Sequence, residues 1–161
     1  MSPKPKDDTL PIELIATNRA ATHDYFISDK IEAGLVLKGT EVKSLRAKHC
    51  QIKDSYARVD RSGNLEIINL HINPYEQGNR YNPDPDRTRR LLAHKREIVK
   101  LEAAIRLKGL TLVPLRIYFK GSMAKIELGL GKGKQEFDKR AAIKERDQNR
   151  EARQALKSRQ R

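Results

Sequence analysis

The sequence predicts a mainly β domain, a small antiparallel barrel with flanking α-helices, followed by a basic C-terminal tail. Three observations predict it. About six short stretches alternate apolar and polar residues, as half-buried strands do. Hairpin-type turn signals join them, with few of the long crossovers a parallel sheet needs. From residue 132 onward, eleven Lys and Arg stand against five Asp and Glu, and apolar residues become scarce.

Composition narrows the partner. The 161 residues suffice for one domain with a real core, but 34% are charged and only 37% hydrophobic. A net charge of +13 calls for a polyanion, most simply nucleic acid, with an anionic membrane surface as the rival. No apolar run is long enough to span a membrane, and no apolar signal segment follows Met1. The lone Cys50 cannot form an intramolecular disulfide, so a reducing cytoplasm is the expected compartment.

Residues 1–8 are polar and proline-broken and are expected to be disordered; the barrel is expected over 9–131. Ile12, Leu14 and Ala16 alternate in a first strand. Asn18 can cap a short helix over Arg19 to His23. Tyr25 to Ile27 is extended, with a break at Ser28-Asp29. Ile31, Ala33, Leu35 and Leu37 then alternate, which turns Glu32 to the opposite face. Gly39 ends that strand, Thr40 can cap the next helix, and Glu41 suits its first turn. Val42 and Leu45 can pack onto the sheet. Lys43, Arg46 and Lys48 form a cationic ridge.

Ala57 and Val59 mark a strand from Ser55 to Asp60. Arg61-Ser62-Gly63-Asn64 signals a hairpin turn, and Leu65 to Ile72 returns, with a possible bulge at Asn69. Asn73 to Asp86 is a loop. Asp86 or Thr88 can cap the longest helix, which runs to about Lys108 with Leu91, Ile98, Leu101 and Ile105 as its stripe. Gly109 fits just beyond its end. Arg87, Arg89 and Arg90 at its start oppose the dipole; they are either presented to phosphate or merely solvated. Thr111, Val113, Leu115, Ile117 and Phe119 share one face of a strand; Leu112, Pro114, Arg116, Tyr118 and Lys120 share the other. Pro114 implies an edge or a bulge. Met123 to Leu130 pairs back, with Lys125 and Glu127 outward. The tail, 132–161, has good helix formers but no wide apolar face, so it is expected to be disordered alone and helical on RNA.

Catalytic patterns are not found. Gly129-Leu-Gly-Lys-Gly-Lys134 lacks the spacing and hydroxyl of a phosphate loop and reads as a hinge. The histidines are scattered, and His49-Cys50 is not a zinc spacing. Asp84 and Asp86 suit turns and caps. No cofactor or metal is expected. Tyr25, Tyr56, Tyr75, Tyr81, Tyr118 and Phe137 are available to stack on bases, although most of the tyrosines are expected to fill the core edge.

Several runs together resemble the SsrA-binding protein (SmpB) family of bacteria. They include Asn18-Arg-Ala-Ala21, His23-Asp-Tyr-Phe-Ile27, Glu32-Ala-Gly34 and Gly39-Thr-Glu-Val-Lys-Ser-Leu-Arg46. Asp54-Ser-Tyr56, His71-Ile-Asn-Pro-Tyr75, Arg87-Thr-Arg-Arg-Leu-Leu92 and Gly109-Leu-Thr-Leu-Val-Pro114 follow, then Gly131-Lys-Gly-Lys134 and Asp138-Lys-Arg140. The resemblance covers nearly the whole chain and implies an oligonucleotide-binding (OB-fold-like) antiparallel β-barrel. It implies a non-catalytic adapter that binds the tRNA-like domain of transfer-messenger RNA (tmRNA). That adapter would deliver the RNA to stalled ribosomes for tagging of the nascent chain, entering the A site with its tail in the mRNA channel. Elongation factor Tu and alanyl-tRNA synthetase are implied as partners on the same RNA, and the adapter as a monomer.

By position, Glu32, Leu92 and Lys125 match the family's tmRNA-facing residues. Lys43, Arg46, Arg87, Arg89, Arg90, Lys132 and Lys134 join them as expected RNA contacts. His23 matches a position near the decoding centre. Phe137, Asp138, Lys139, Arg140, Lys144, Arg146, Arg150, Arg153 and Leu156 match the functional tail, where Phe137 replaces a frequent His or Tyr. Arg46-Ala-Lys-His49 replaces a usual Arg-Ala-Gly-Lys, which removes a glycine from the turn. Two other classes stay in view: a basic structural ribosomal protein, and an RNA-cleaving enzyme, which lacks visible acid, base or metal groups.

Overall fold

The computed structural model describes residues 10–160; the expectation for residues 1–8 lies outside them. In chain order the elements are β1 (Ile12–Thr17), α1 (Arg19–Asp24), β2 (Tyr25–Leu35), α2 (Gly39–Arg46), β3 (Cys50–Gln51), β4 (Tyr56–Val59), β5 (Leu65–Ile68) and β6 (His71–Ile72). Then come β7 (Arg89–Leu92), α3 (Lys95–Lys108), β8 (Thr111–Lys120), β9 (Met123–Gly133) and α4 (Glu136–Arg159). All pairings are antiparallel. The main sheet runs β1-β8-β4-β5-β7-β2-β9, and β9 pairs back onto β8, so the sheet closes into a ring. Closure through β8 and β9 leaves one interior to fill, while β1, which pairs with β8 alone among the described residues, remains an edge. The expected OB-fold-like antiparallel barrel with flanking helices is the observed architecture.

Leu65, Ile67, Leu91, Leu112, Ile117, Phe119, Ile126 and Leu128 fill that interior, each at most 2% exposed. Helix α2 adds Leu45 and α3 adds Leu101 to the same core. Helix α1 covers a smaller cluster of Ala21, Val113 and Leu115. That cluster exists because β8 is bulged. The register slips between Pro114 and Arg116, where Pro114 offers no N–H to the ladder. One extra residue reverses the inward face. Leu112, Ile117 and Phe119 therefore share the main core, whereas Val113 and Leu115 face α1. The single continuous face expected for Thr111 to Phe119 is corrected accordingly. A similar slip between Leu14 and Ala16 turns Ile15 inward and leaves Ile12 and Leu14 exposed, the reverse of the expected alternation.

The largest correction lies between Arg87 and Leu92. These residues do not start the long helix. Arg89–Leu92 is a strand locked between β2 and β5, with Leu35 and Leu65 both opposite Leu91. The helix starts after His94, whose backbone N–H donates to Glu97. It ends at Gly109 with φ +63, as expected. Leu65 to Ile72 is likewise two strands: Asn69 turns left-handed at φ +60, and β6 leaves to pair with β3. The caps differ in detail too. Lys38, not Thr40, precedes α2, and its backbone N–H donates to Glu41 at 2.9 Å. Asn18 does precede α1, but its amide donates to the Pro114 carbonyl across the fold instead of capping.

The missing glycine has a structural consequence. Lys48 holds φ +61 where α2 terminates through Lys48 N–H to Leu45 O (2.8 Å) and His49 N–H to Ser44 O (3.0 Å). A left-handed backbone costs an L-residue roughly 1–2 kcal/mol. Lys48→Gly relieves this and gives back part of it as unfolded-state entropy. A net stabilisation of about 0.5–1 kcal/mol is expected by urea unfolding. An unchanged or lower midpoint would mean that the Lys48 side chain stabilises the turn.

Candidate nucleic-acid interface

The ladder registers build a row of outward side chains across four strands. Leu92 of β7 lies opposite Gly34 of β2, Gly34 opposite Lys125 of β9, and Lys125 opposite Tyr118 of β8. Residues directly opposite on a sheet share a face. Glu32, two residues before Gly34 on the same strand, shares it too. Gly34 matters because a Cβ there would stand 3.4 Å from the Leu92 Cβ. Its absence lets Leu92 lie over the strand, 57% exposed. The structure thus brings Glu32, Leu92 and Lys125 together.

Glu32 is the electrostatic centre of this row. Its carboxylate accepts the Tyr118 hydroxyl and lies 3.3 Å from the Lys120 ammonium and 4.0 Å from that of Lys125. Burial, then the bond to Glu32, pushes the Tyr118 phenol well above its usual range. The phenol therefore stays a neutral donor, and two cations flank one anion. A carboxylate in a basic face here orients lysines that would otherwise repel each other. Tyr118, expected to be available for stacking, is 3% exposed and Lys120, which was not singled out, is 8% exposed, so both hold Glu32 in place and neither meets a base. Both stand on the outward face of β8 with Arg116, and that alternation is the signal which could have found them.

The other cations divide. Arg89 is 0% exposed and buried against Glu41, so it is a core residue and not an RNA contact. Arg87 binds the same carboxylate. Arg90 faces outward and donates to Asn64 at 2.9 Å. Arg46 lies 3.8 Å over the Phe119 ring and pairs with Glu13 at 2.9 Å, so it clasps α2 to the sheet. Lys43 stands 5.3 Å over the Tyr75 ring.

A second cluster sits where β9 meets the tail. Lys132 lies opposite Phe26, and β9 carries the barrel pairing as far as Gly133. The Lys134 ammonium donates to Thr22 O at 3.1 Å and stands over the Phe26 ring at 4.9 Å. His23 and Lys139 flank Asp24 at 2.8 and 3.6 Å. The His23 hydrogen bond, with help from Lys139, holds the Asp24 carboxyl below its ordinary value. Asp138 accepts the Gln135 backbone N–H at 3.2 Å at the start of α4, and Arg140 pairs with Glu136 at 3.7 Å. Beyond this turn α4 buries no residue. Phe137 is 70% and Leu156 61% exposed, and Lys144, Arg146, Arg150 and Arg153 project into solvent.

Among the described residues no group of His, Cys, Asp and Glu is placed to hold a metal ion, and no helix is long and apolar enough to cross a membrane. Burial pushes the Cys50 thiol up to about 11, so it stays protonated.

Known proteins match this chain along almost its full length. The family model described as SmpB protein matches residues 15–158. An SsrA-binding protein of Carboxydothermus hydrogenoformans is 56% identical over 147 residues, covering 91% of this chain and 98% of the relative. One of Geobacter metallireducens is 58% identical over 147 residues, covering 91% and 95%. A solved chain presented as "tmRNA-SmpB: a journey to the center of the bacterial ribosome" superposes with a TM-score of 0.65 at 47% identity, covering 81% of this chain and 95% of that one. A closed barrel with Glu32, Leu92 and Lys125 on one face, continued by a solvent-exposed basic helix and matched over 15–158, makes this chain a member of the SmpB family.

Proposed function

We propose that the protein is a non-catalytic RNA-binding adapter of trans-translation. It binds the tRNA-like domain of tmRNA, the SsrA RNA, and delivers it to stalled ribosomes in the cytoplasm for nascent-chain tagging and rescue. The observation that carries this reading is the row Leu92–Gly34–Lys125–Tyr118 with Glu32 beneath it. A surface for phosphate alone needs only cations. This one sets an apolar contact, an acceptor and oriented donors on a rigid sheet, which is what recognition of a defined RNA shape requires. The names of the relatives and of the solved complex support the same partner. The protein acts as a monomer, and its tail helix α4 enters the mRNA channel of the A site, with His23 and Phe137 near the decoding centre. Elongation factor Tu and alanyl-tRNA synthetase act on the same RNA.

The test is binding to the tRNA-like domain against an ordinary tRNA across a salt series. The tmRNA advantage should persist as salt rises, because the apolar Leu92 contact and the Glu32 acceptor release no counterions. If both affinities fall together on one steep slope, the surface is merely cationic, and a structural role in the ribosome is favoured instead.

A further inference from the structure

We propose that the loop after β6, docked on the start of α2, is a stacking platform for one unpaired base of the bound RNA. The proposal rests on the RNA-binding reading above and deepens it. The loop is built, not slack. The Asn82 side chain accepts the Tyr75 N–H at 2.9 Å and donates to the Tyr75 carbonyl at 2.8 Å, closing it upon itself. Backbone bonds run from Gly78 N–H to Tyr75 O (2.8 Å) and from Tyr81 N–H to Gly78 O (2.9 Å). The Thr40 hydroxyl donates to Tyr81 O at 3.4 Å and ties the loop to α2. A Cβ on Gly78 would meet Asn82 Oδ1 at 2.9 Å and the Thr40 methyl at 3.0 Å, so a side chain there would push on the Asn82 amide that closes the loop.

All this order holds Tyr81 outward. Tyr81 is 68% exposed. Arg80 stands over the ring at 5.2 Å and donates to its hydroxyl at 3.2 Å, which fixes the ring plane. Lys43 stands over Tyr75 at 5.3 Å, and Lys38 and Lys43 line the same shallow groove as both tyrosines. The loop's exposed carboxylates are Glu76, Asp84 and Asp86; Asp86 pairs with His71, and none of the three lines the groove. A flat ring with fixed orientation, rimmed by three cations, matches a ligand with both a π-face and phosphates. An RNA nucleotide has both, but only where it is unstacked, because an A-form helix hides its base faces. A second groove, lined by Gly34, Leu37, Val42, Leu92 and Lys125, joins α2 to the Glu32 row. The two grooves share no lining residue but both border α2, and the three cations around the platform favour the same polyanion, so an unpaired loop of the same RNA is its occupant.

The experiment uses the full chain and the tRNA-like domain of tmRNA. Tyr81→Ala should weaken binding about 5- to 100-fold, the range for losing one base–aromatic stack, while Tyr81→Phe stays within about twofold. The salt slope should not change with Tyr81→Ala, since no cation is lost, whereas Lys43→Gln should lower it by about one. Chemical probing of the RNA should show one or two unpaired bases protected by the wild type and exposed by Tyr81→Ala. Unchanged affinity in Tyr81→Ala, with Glu32→Arg weakened, overturns the platform and leaves the RNA reading intact. Normal RNA binding with failed delivery to the ribosome would assign the loop to a ribosomal contact and also overturn it. Loss of tmRNA preference by the wild type itself would instead defeat the RNA reading.

Discussion

Arg89→Ala should destabilise this protein by about 3–5 kcal/mol, the range for breaking a buried ion pair from one side. Arg90→Ala, one residue away, should cost no more than about 0.5 kcal/mol, as exposed substitutions do. The contrast follows from β7 alternation. Arg90 faces solvent and bonds Asn64, whereas Arg89 points inward. Its Nε donates to Glu41 at 2.6 Å, Nη1 to the carbonyls of Leu70 and Arg87, and Nη2 to Pro85 at 2.9 Å. One side chain thus joins α2, the end of the β5–β6 connection and the long loop to the barrel. Alanine would leave the Leu70 and Arg87 carbonyls short of a donor, take one of two donors from the Pro85 carbonyl, and remove one of three partners of a 3%-exposed carboxylate. Paired urea unfolding of the two variants checks it; equal losses would show that the buried pairing contributes nothing.

The same site gives a pH signature. Burial raises the Glu41 carboxyl, but hydrogen bonds from Arg87, the Lys38 backbone and Arg89 outweigh it and hold the group below its ordinary 4.5. A carboxyl lowered on folding stabilises fully above its unfolded value and loses that contribution as pH falls through its folded value. The Arg89→Ala deficit should therefore be largest near neutral pH and shrink below about pH 4.5 as both proteins protonate Glu41.

This cluster also marks where the sequence ceases to be legible. Glu41 reads correctly as a first-turn acid, and its bond to the Lys38 N–H is local. Its partners Arg87 and Arg89 lie 46 and 48 residues away, and no local pattern announces them. The run Arg87 to Leu92 is made of good helix formers, and an inward arginine conceals its four-residue alternation. Pairing with β2 and β5 overrides that propensity. Where one face is buried over a longer span, as in β9, the alternation of Ala124, Ile126, Leu128 and Leu130 gave direction and partner. Pro114 signalled its bulge by chemistry alone. Glu32 and Lys125 were legible as outward residues. Their meeting with Tyr118 and Lys120 was not, because it depends on which strands the closed ring brings together.

Recognition and delivery should separate by mutation. Glu32→Arg should weaken tmRNA binding about 10- to 100-fold, from loss of charge-assisted hydrogen bonds worth roughly 1.5–3 kcal/mol. The sign is the argument. The change adds two positive charges to an already basic protein, so binding by charge alone would tighten. It weakens because the new guanidinium loses the Tyr118 bond and repels Lys120 and Lys125, which Glu32 now holds. The triple change Asp138→Ala, Lys139→Ala, Arg140→Ala should do the converse: near-normal tmRNA affinity and no tagging of peptides on truncated messages. Each residue acts at the first turn of α4, through the Gln135 cap, the Asp24 pair and the Glu136 pair. None touches the Glu32 row. Loss of the first turn frees the helix from α1, so the RNA is carried but the tail reaches the ribosome without a set direction. Equal loss of RNA affinity in the tail variant would mean that barrel and tail form one binding surface, and the division of labour between them would fall.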